Sequence, residues 1–265
     1  MNDIINDAAN NANDSAADAT DGATNATGGA SDSATSAASA TKGTPALLLA
    51  GGRPSGATDM ARMLSNAFKA YKNPKVAYIG AASGDSFMFF KMMKSLLTKA
   101  GANKVTFVRL AKDKIDINAA KATLSSSDVI FFSGGEVEDG INCIKKHQLA
   151  AFLHDLYNQG KQFVGVSAGT IMLGSHWVRW EDPKDDSTAE LFDCLGIVPL
   201  VFDTHAEDED WIELKAVLRL QGDGALGYGL PSGCAVAADS EGTLTKIEKE
   251  YLVFKNSDGK IGIAD

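Results

Sequence analysis

The sequence predicts an α/β fold with a doubly wound, mainly parallel sheet flanked by helices. Short apolar runs alternate with segments of helical periodicity from residue 45 onward, and this alternation is typical of βαβ units. Several of the runs are apolar throughout, as expected for strands that helices cover on both faces. After residue 239 the pattern changes to short segments joined by polar turns, which predicts a small antiparallel C-terminal extension.

The first 44 residues are expected to lie outside the folded domain. They are almost wholly Ala, Asn, Asp, Ser, Thr and Gly, without an aromatic residue, and they carry six Asp against one Lys. Such a composition buries too little apolar surface to offset the entropy of an ordered chain. We therefore expect a disordered, acidic, low-complexity tail over residues 1–44, followed by a single α/β domain over residues 45–265.

The individual elements follow from the hydrophobic pattern. Strands of the parallel sheet are predicted over 46–50, 75–79, 104–110, 128–132 and 162–166. Apolar residues recur at helical spacing from Met60 to Tyr71 and again from Leu149 to Tyr157, where Gly160 is placed to end the helix. A helix is also predicted over 211–220. Strands predicted over 242–248, 251–256 and 260–264 are expected to cover one edge of the main sheet.

Composition excludes several classes of function. The chain has a net charge of −9 without a basic cluster, which argues against nucleic-acid binding. It has no apolar stretch long enough to span a bilayer and no signal-peptide pattern. Three widely spaced cysteines indicate neither a disulfide framework nor a zinc site, so we expect a reducing, cytoplasmic setting. No glycine-rich segment matches a phosphate loop or a dinucleotide fingerprint, so no cofactor is expected.

The segment Gly165-Val166-Ser167-Ala168-Gly169 follows a predicted buried strand and precedes a helix-like stretch. A Gly-x-Ser-x-Gly pattern in this position is typical of a nucleophile elbow, a sharp turn that exposes the serine. Small residues are needed around it because the turn strains the backbone and packs it closely. We expect Ser167 to be a catalytic nucleophile. The alternative is an ordinary tight turn between a strand and a helix.

A second glycine-rich turn is expected to face this serine. Gly134-Gly135 follows the strand predicted over 128–132, and the carboxyl ends of parallel strands meet at one edge of the sheet. Backbone N–H groups there, together with the N–H of Ala168, would stabilise an oxyanion. An ordinary strand-to-helix turn is the alternative.

A serine nucleophile needs a base, and His205 is the best placed of the four histidines. It follows the apolar run 195–202, where a predicted strand ends, so it can be delivered to the same edge as Ser167. A histidine satisfied within a loop is the alternative. The remaining three have sequence contexts that favour structural or solvent-facing roles: His147, His154 and His176.

The carboxylate that would orient the imidazole is not fixed by spacing. Glu181 and Asp182 lie in the loop between Ser167 and His205, where the alternative is a solvated loop. Asp203 and the acidic run 207–210 lie near His205, but Asp208 to Asp210 fit the first turn of the following helix, where the helix dipole favours negative charge.

Together these residues resemble the serine peptidase family of dipeptidase E (aspartyl dipeptidase) and cyanophycinase, which has a class I glutamine-amidotransferase-like fold. The resemblance extends over about residues 45–239. Besides the serine elbow, its landmarks are Phe131-Phe132-Ser133-Gly134-Gly135, Leu195-Gly196-Ile197-Val198-Pro199, Asp203-Thr204-His205 and Gly227-Tyr228-Gly229-Leu230-Pro231.

The resemblance implies a role for each of these positions. Ser167 would be the nucleophile, His205 the base, and the N–H groups of Gly135 and Ala168 the oxyanion hole. The family's acid lies between nucleophile and base, which points to Asp182, with Glu181 beside it. Substrate contacts would come from Gly134, Glu136 and Asp203. The family cleaves short peptides or isopeptides that have an aspartate on the acyl side, without a metal or cofactor.

The sequence departs from the family pattern at three places. Pro231-Ser232 stands where many members carry an acidic pair, Glu136 where Asn or Asp is common, and the acidic run 207–210 where cyanophycinase-type members carry basic residues. Glu207 is a further candidate for the acid, because His205-Ala206-Glu207 has the His-x-Glu spacing of glutamine amidotransferases. The altered positions motivate an alternative function, a non-catalytic protein that binds an amino-acid-like ligand or a partner in the same crevice.

A cluster of Phe and Met over residues 87–93 has three interpretations. Residues of this kind are most often buried core. The cluster would also serve as the lining of a pocket or as the contact surface of a homodimer.

Overall fold

The computed structural model describes residues 44–51, 57–182 and 185–264. The acidic tail predicted over residues 1–44 lies, apart from Thr44, outside the described residues. The strands are β1 (Ala46–Leu49), β2 (Lys75–Ile79), β3 (Lys104–Val108), β4 (Val129–Phe132), β5 (Gln162–Val166), β6 (His176–Trp180), β7 (Ala189–Asp193), β8 (Phe202–Thr204), β9 (Leu226–Leu230), β10 (Ala235–Ala238), β11 (Leu244–Glu248), β12 (Leu252–Ser257) and β13 (Lys260–Ile263). The helices are α1 (Ala57–Leu64), α2 (Phe87–Ala100), α3 (Ile117–Ser126), α4 (Val137–Lys146), α5 (Ala150–Asn158), α6 (Ala168–Leu173) and α7 (Ile212–Gln221).

The main sheet confirms the predicted α/β class. Its strand order is β11–β10–β1–β5–β4–β2–β3, in which the neighbours from β1 to β3 are parallel and β10 and β11 are antiparallel additions. Side chains of β4 alternate between two cores, because Ile130 and Phe132 join one apolar cluster while Val129 and Phe131 join the other. The sheet is therefore covered on both faces, which explains why its strands are apolar throughout.

The helix predicted from Met60 to Tyr71 is shorter in the structure. Regular α-helix ends at Leu64, and a 3₁₀ turn continues from Ser65 to Phe68. Ser65 Oγ donates to the carbonyl of Arg62 (2.6 Å), and Asn66 Nδ2 donates to the carbonyl of Met63 (2.9 Å). Such local side-chain hydrogen bonds compete with the helical ladder, so the helix tightens and ends here.

The C-terminal strands divide between two sheets, which corrects the prediction that all of them cover one edge of the main sheet. Strand β11 does pair with β10 at that edge. Strands β12 and β13 instead join β9 and β8 in a second sheet of order β13–β12–β9–β8. The reason is that Phe254 of β12 packs against Trp211, at the start of α7, in a separate apolar cluster.

The strand expected to lead into His205 is also shorter than predicted. Only Phe202–Thr204 form a strand, which pairs in parallel with β9. Upstream, Ile197 and Val198 are buried without strand geometry, and Gly196 has φ +63°. The apolar run 195–202 is therefore mainly a buried turn. Among the described residues, no helix is long and apolar enough to cross a membrane.

Candidate active site

Ser167 occupies a strained turn between β5 and α6. Its φ and ψ are +55° and −124°, a conformation that a residue with a side chain adopts only when its surroundings enforce it. The Ser167 N–H donates to the carbonyl of Leu49 (3.0 Å) on the neighbouring strand. A Cβ on Gly169 would lie 2.2 Å from the carbonyl oxygen of Phe132, and one on Gly165 would lie 2.6 Å from that of Gly169. The glycines of the elbow are thus required by close backbone packing.

The structure brings His205 to this serine. Ser167 Oγ lies 2.7 Å from His205 Nε2, although 38 residues separate them in sequence. His205 follows β8 with φ +46°, and its N–H donates to the carbonyl of Leu230 (2.8 Å) at the end of β9. The second sheet therefore places the imidazole against the carboxyl edge of the main sheet.

The other three histidines have partners elsewhere. His147 Nε2 lies 2.9 Å from the carbonyl oxygen of Leu110, and His154 Nε2 lies 2.6 Å from that of Leu195. His176 is 3.5 Å from a carboxylate oxygen of Asp193 on the adjoining strand.

The glycine pair after β4 lies beside the serine. A Cβ on Gly134 would lie 3.2 Å from Ser167 Cβ and 3.6 Å from its Oγ. Gly135 has φ +140°, and a Cβ there would lie 2.0 Å from the carbonyl oxygen of Ala82, so this position has room only for glycine. Within the described part of the chain, the Gly135 N–H donates to no other backbone group. Ala168 begins α6 immediately after the serine.

The role of Asp182 as the acid stays a prediction. Asp182 is in the exposed loop between β6 and β7, and among the described residues no carboxylate lies within ion-pairing distance of His205. There the Asp182 N–H donates to Thr188 Oγ1 (3.1 Å). Glu181 lines a different cavity, together with Arg179. Spacing in the sequence indicated that this loop lies between Ser167 and His205, but it could not indicate where the β6–β7 hairpin places the side chains of the loop.

Two other carboxylates interact electrostatically with His205. Glu207 Oε1 accepts a hydrogen bond from the Ser232 N–H (2.9 Å). Partial burial acts to raise the pKa of Glu207, but the hydrogen bonds from Ser232 and the charge of His205 outweigh it and lower the pKa. Burial raises the pKa of Glu213. The hydrogen bond that its side chain accepts from Trp177 Nε1 (3.0 Å) acts to lower the pKa but does not outweigh burial. Sequence reasoning missed Glu213, whose only signal was a glutamate in the first turn of the helix after His205.

Asp203, expected to contact substrate, is an interior residue in this structure. It is 3% exposed; its Oδ1 accepts from the Thr204 N–H (2.7 Å), and its Oδ2 has no partner among the described residues. Burial, followed by the negative charge of Glu213, raises the pKa of Asp203 to about 7. Asp203 is a buried residue of β8, and its contact with substrate stays a prediction.

Glu136 lies on the exposed side of the glycine pair. It is the residue before α4, its N–H donates to the carbonyl of Ala82 (2.7 Å), and its charge acts on Glu213. Glu136, Glu207 and Glu213 therefore bring three carboxyl groups to the surroundings of Ser167 and His205, and Lys249 Nζ, which donates to the carbonyl of Ser232 (2.7 Å), brings a positive charge to the same region. No group of three His, Cys, Asp or Glu residues in the described regions is arranged to hold a metal ion.

A cavity of about 650 Å³ opens beside Ser167. Gly51, Gly134 and Gly135 contribute backbone to its wall at the serine. The rest of the described lining is mainly apolar: Met60, Phe89, Met92, Met93, Leu96 and Val166. The Phe and Met cluster thus divides, since Phe90 and Met93 are buried while Phe87, Met88 and Met92 are exposed.

The fold and the site define an α/β protein with a serine–histidine pair at the carboxyl edge of a parallel sheet. The model of peptidase family S51 matches residues 46–246, and the chain belongs to this family. Membership supports its assignment as a peptidase, as the resemblance implied.

Solved structures with similar folds carry peptidase descriptions. A peptidase from an acI-B1 Actinobacterium aligns with a TM-score of 0.63 at 17% identity, over 85% of this chain and 95% of its own. A putative peptidase E protein from Listeria monocytogenes EGD-e aligns with a TM-score of 0.58 at 15% identity, over 78% of this chain and 100% of its own. At these identities the likeness concerns the fold alone. A comparison with curated proteins gave no match.

Proposed function

We propose that this protein is a serine peptidase that hydrolyses short peptides, with Ser167 as nucleophile and His205 as general base. The observation that carries the proposal is the 2.7 Å contact between Ser167 Oγ and His205 Nε2 at the mouth of a cavity. Membership of peptidase family S51 supports the reaction class.

The reaction divides into two steps of the same kind. Ser167 Oγ attacks the scissile carbonyl carbon while its proton passes to His205 Nε2. The C–N bond then breaks, the amine leaves with that proton, and an acyl-enzyme ester remains. In the second step water attacks the ester and gives its proton to His205, which returns it to Ser167 as the acid product leaves.

The negative oxygen of each tetrahedral intermediate needs hydrogen-bond donors. The N–H groups of Gly135 and Ala168 are proposed for this role, because both adjoin Ser167 and neither position carries a side chain larger than a methyl group. Gly134 and Glu136, on either side of the Gly135 donor, would then adjoin the bound peptide. Removal of one such donor in other serine peptidases costs about 100- to 1000-fold in turnover.

Glu207 and Glu213 are proposed to stabilise the charged imidazole, and the role of Asp182 as the acid stays a prediction. Both glutamates interact electrostatically with His205. A carboxylate that acts on the imidazole only through its charge stabilises it less than a directly hydrogen-bonded one.

A pair of alanine variants tests the proposal. Ser167→Ala should abolish hydrolysis of a dipeptide panel while circular dichroism and Tm show a folded protein. Ser126→Ala, the same change on the exposed end of α3, is the control and should retain wild-type turnover. Hydrolysis that persists in Ser167→Ala would rule out the mechanism.

A non-catalytic binding protein is the second candidate. It is favoured by the lack of a carboxylate in ion-pairing distance of His205 among the described residues, since the orienting carboxylate contributes about 10⁴ to turnover in enzymes that have it. Such a protein would cleave no member of the panel, and one of the peptides would raise its Tm.

A further inference from the structure

The cavity beside Ser167 has a chemistry of its own. At the serine its wall is backbone, contributed by Gly51 and the glycine pair. Away from the serine, Phe89, Met92 and Leu96 of helix α2 face the cavity together with Met60 of α1. Met92 remains 50% exposed although it lies over this cavity, so a ligand in the cavity would remove its apolar surface from water.

The topology fixes which end of α2 is near the serine. Strand β2 ends at the carboxyl edge of the sheet, and α2 begins after a short turn and runs back to the start of β3. Phe89, in the first turn of α2, is therefore at the same edge as Ser167. Lys99, in the last turn, follows ten residues later, or about 15 Å along the helix axis.

Within the described lining, this arrangement separates the positive charge from the reacting atoms. Lys99 is the charged side chain in the described lining, and it is exposed at the distant end. The two-carbon side chain of an acyl-side aspartate, with its carbonyl at Ser167, would lie among thioethers and a phenyl ring. The carboxylate of Glu207, which interacts electrostatically with His205, would repel it further. No cation lies at this end of the cavity among the described lining residues, and a carboxylate without a partner in such surroundings is strongly disfavoured.

We propose that this cavity binds the acyl-side residue of the substrate and selects a large, flexible or aromatic apolar side chain, such as that of Met, Leu or Phe, over aspartate. Methionine-lined surfaces adapt to apolar groups of different shape. This inference rests on the proposed function, because it takes Ser167 as the point where the acyl carbon is held.

The test is a set of dipeptides that share the second residue and carry Asp, Ala, Met or Phe as the first. We expect kcat/KM for the Met or Phe peptide to exceed that for the Asp peptide by at least about 100-fold, since even single methylene differences in apolar pockets give about 10- to 200-fold. Equal rates, or a preference for Asp, would overturn the inference.

Two substitutions on one helix locate the effect. Met92→Ala should lower kcat/KM for the Met and Phe peptides about tenfold and leave the Ala peptide unchanged. Met88→Ala makes the same change at a residue that is 73% exposed and does not line the cavity, and it should leave all four peptides unchanged. Equal effects of the two variants would contradict a selective role for the cavity.

Covalent labelling of Ser167 by a fluorophosphonate separates this inference from the proposed function. A protein that is labelled at Ser167 but prefers the Asp peptide disproves the apolar pocket and leaves the serine mechanism in place. A protein that is neither labelled nor active on any peptide disproves both.

Discussion

Gly134→Ala is expected to damage the chemistry of the site while the fold survives. Gly134 does not have the left-handed backbone that a side chain would strain, and the atoms around it leave tight but tolerable space. The new methyl carbon would lie 3.2 Å from Ser167 Cβ, 3.4 Å from the carbonyl oxygen of Val166 and 3.6 Å from Ser167 Oγ. Gly135→Ala is a different case, because its Cβ would lie 2.0 Å from the carbonyl oxygen of Ala82.

The size of the effect follows from these contacts. Accommodating one methyl group at 3.2 Å requires shifts of a few tenths of an ångström and should cost about 1–3 kcal/mol of stability, as for other overpacked sites. The same methyl group would crowd the oxygen that attacks and displace the neighbouring Gly135 N–H. Losing one aligned oxyanion donor costs about 100- to 1000-fold in kcat, and we expect kcat of Gly134→Ala to fall within this range.

The assay is kcat and KM on the best-cleaved dipeptide, with Tm measured on the same preparation. Gly262→Ala is the matched control, because a Cβ at this exposed glycine in β13 meets no atom within 4 Å. It should leave both kcat and Tm unchanged. The reasoning is refuted if Gly134→Ala is as active as Gly262→Ala while both are folded.

The other predictions concern the acidic residues. Asp203 holds its proton more tightly in the folded protein, with a pKa of about 7 against 3.8, so its contribution favours folding in acid and is lost as pH rises through about 7. Asp203→Asn should remove this loss, of which about 3 kcal/mol falls between pH 5 and pH 8. Urea unfolding of both proteins at the two pH values measures it, and an equal loss of stability in both would contradict the prediction. Glu207→Gln should lower kcat/KM about tenfold because it removes a negative charge near His205, whereas Asp182→Asn should change it less than threefold. A loss near 10⁴ in Asp182→Asn would restore that loop carboxylate as the acid.

The serine elbow was predictable because its determinants are local. Glycines within two residues of Ser167 permit the close packing of β5, α6 and β4, and the spacing records that requirement directly. The parallel sheet was predictable for a similar reason, since burial on both faces leaves uniformly apolar strands.

His205 lies beside Ser167, as expected, although the structure of the segment before it was predicted wrongly. The apolar run before it was expected to be a long strand, but most of it is a buried turn that ends in the short strand β8. Burial alone produces the same apolar composition in a strand and in a packed turn, so the sequence could not distinguish them. The position of His205 at the end of the apolar run was sufficient to predict that it lies at the same edge of the sheet as Ser167.

The carboxylates could not be assigned from the sequence, because their roles depend on distances between distant segments. Glu213 interacts with His205 because α7 packs against the second sheet. Asp182 lies in the exposed loop of the β6–β7 hairpin. The cavity was open to several interpretations for the same reason. Whether Met92 or Met93 faces solvent depends on the rotation of α2, which the sequence pattern near Phe87 does not determine.

The central claim is that the hydroxyl of Ser167 is made nucleophilic by its contact with His205. Intact-protein mass spectrometry after fluorophosphonate treatment tests this directly when the wild type is compared with His205→Ala and with Ser167→Ala. We expect one adduct on wild-type Ser167, none on Ser167→Ala, and labelling of His205→Ala slower by at least about 100-fold. Labelling of His205→Ala at the wild-type rate, or an adduct on another serine in the wild type, would contradict the account.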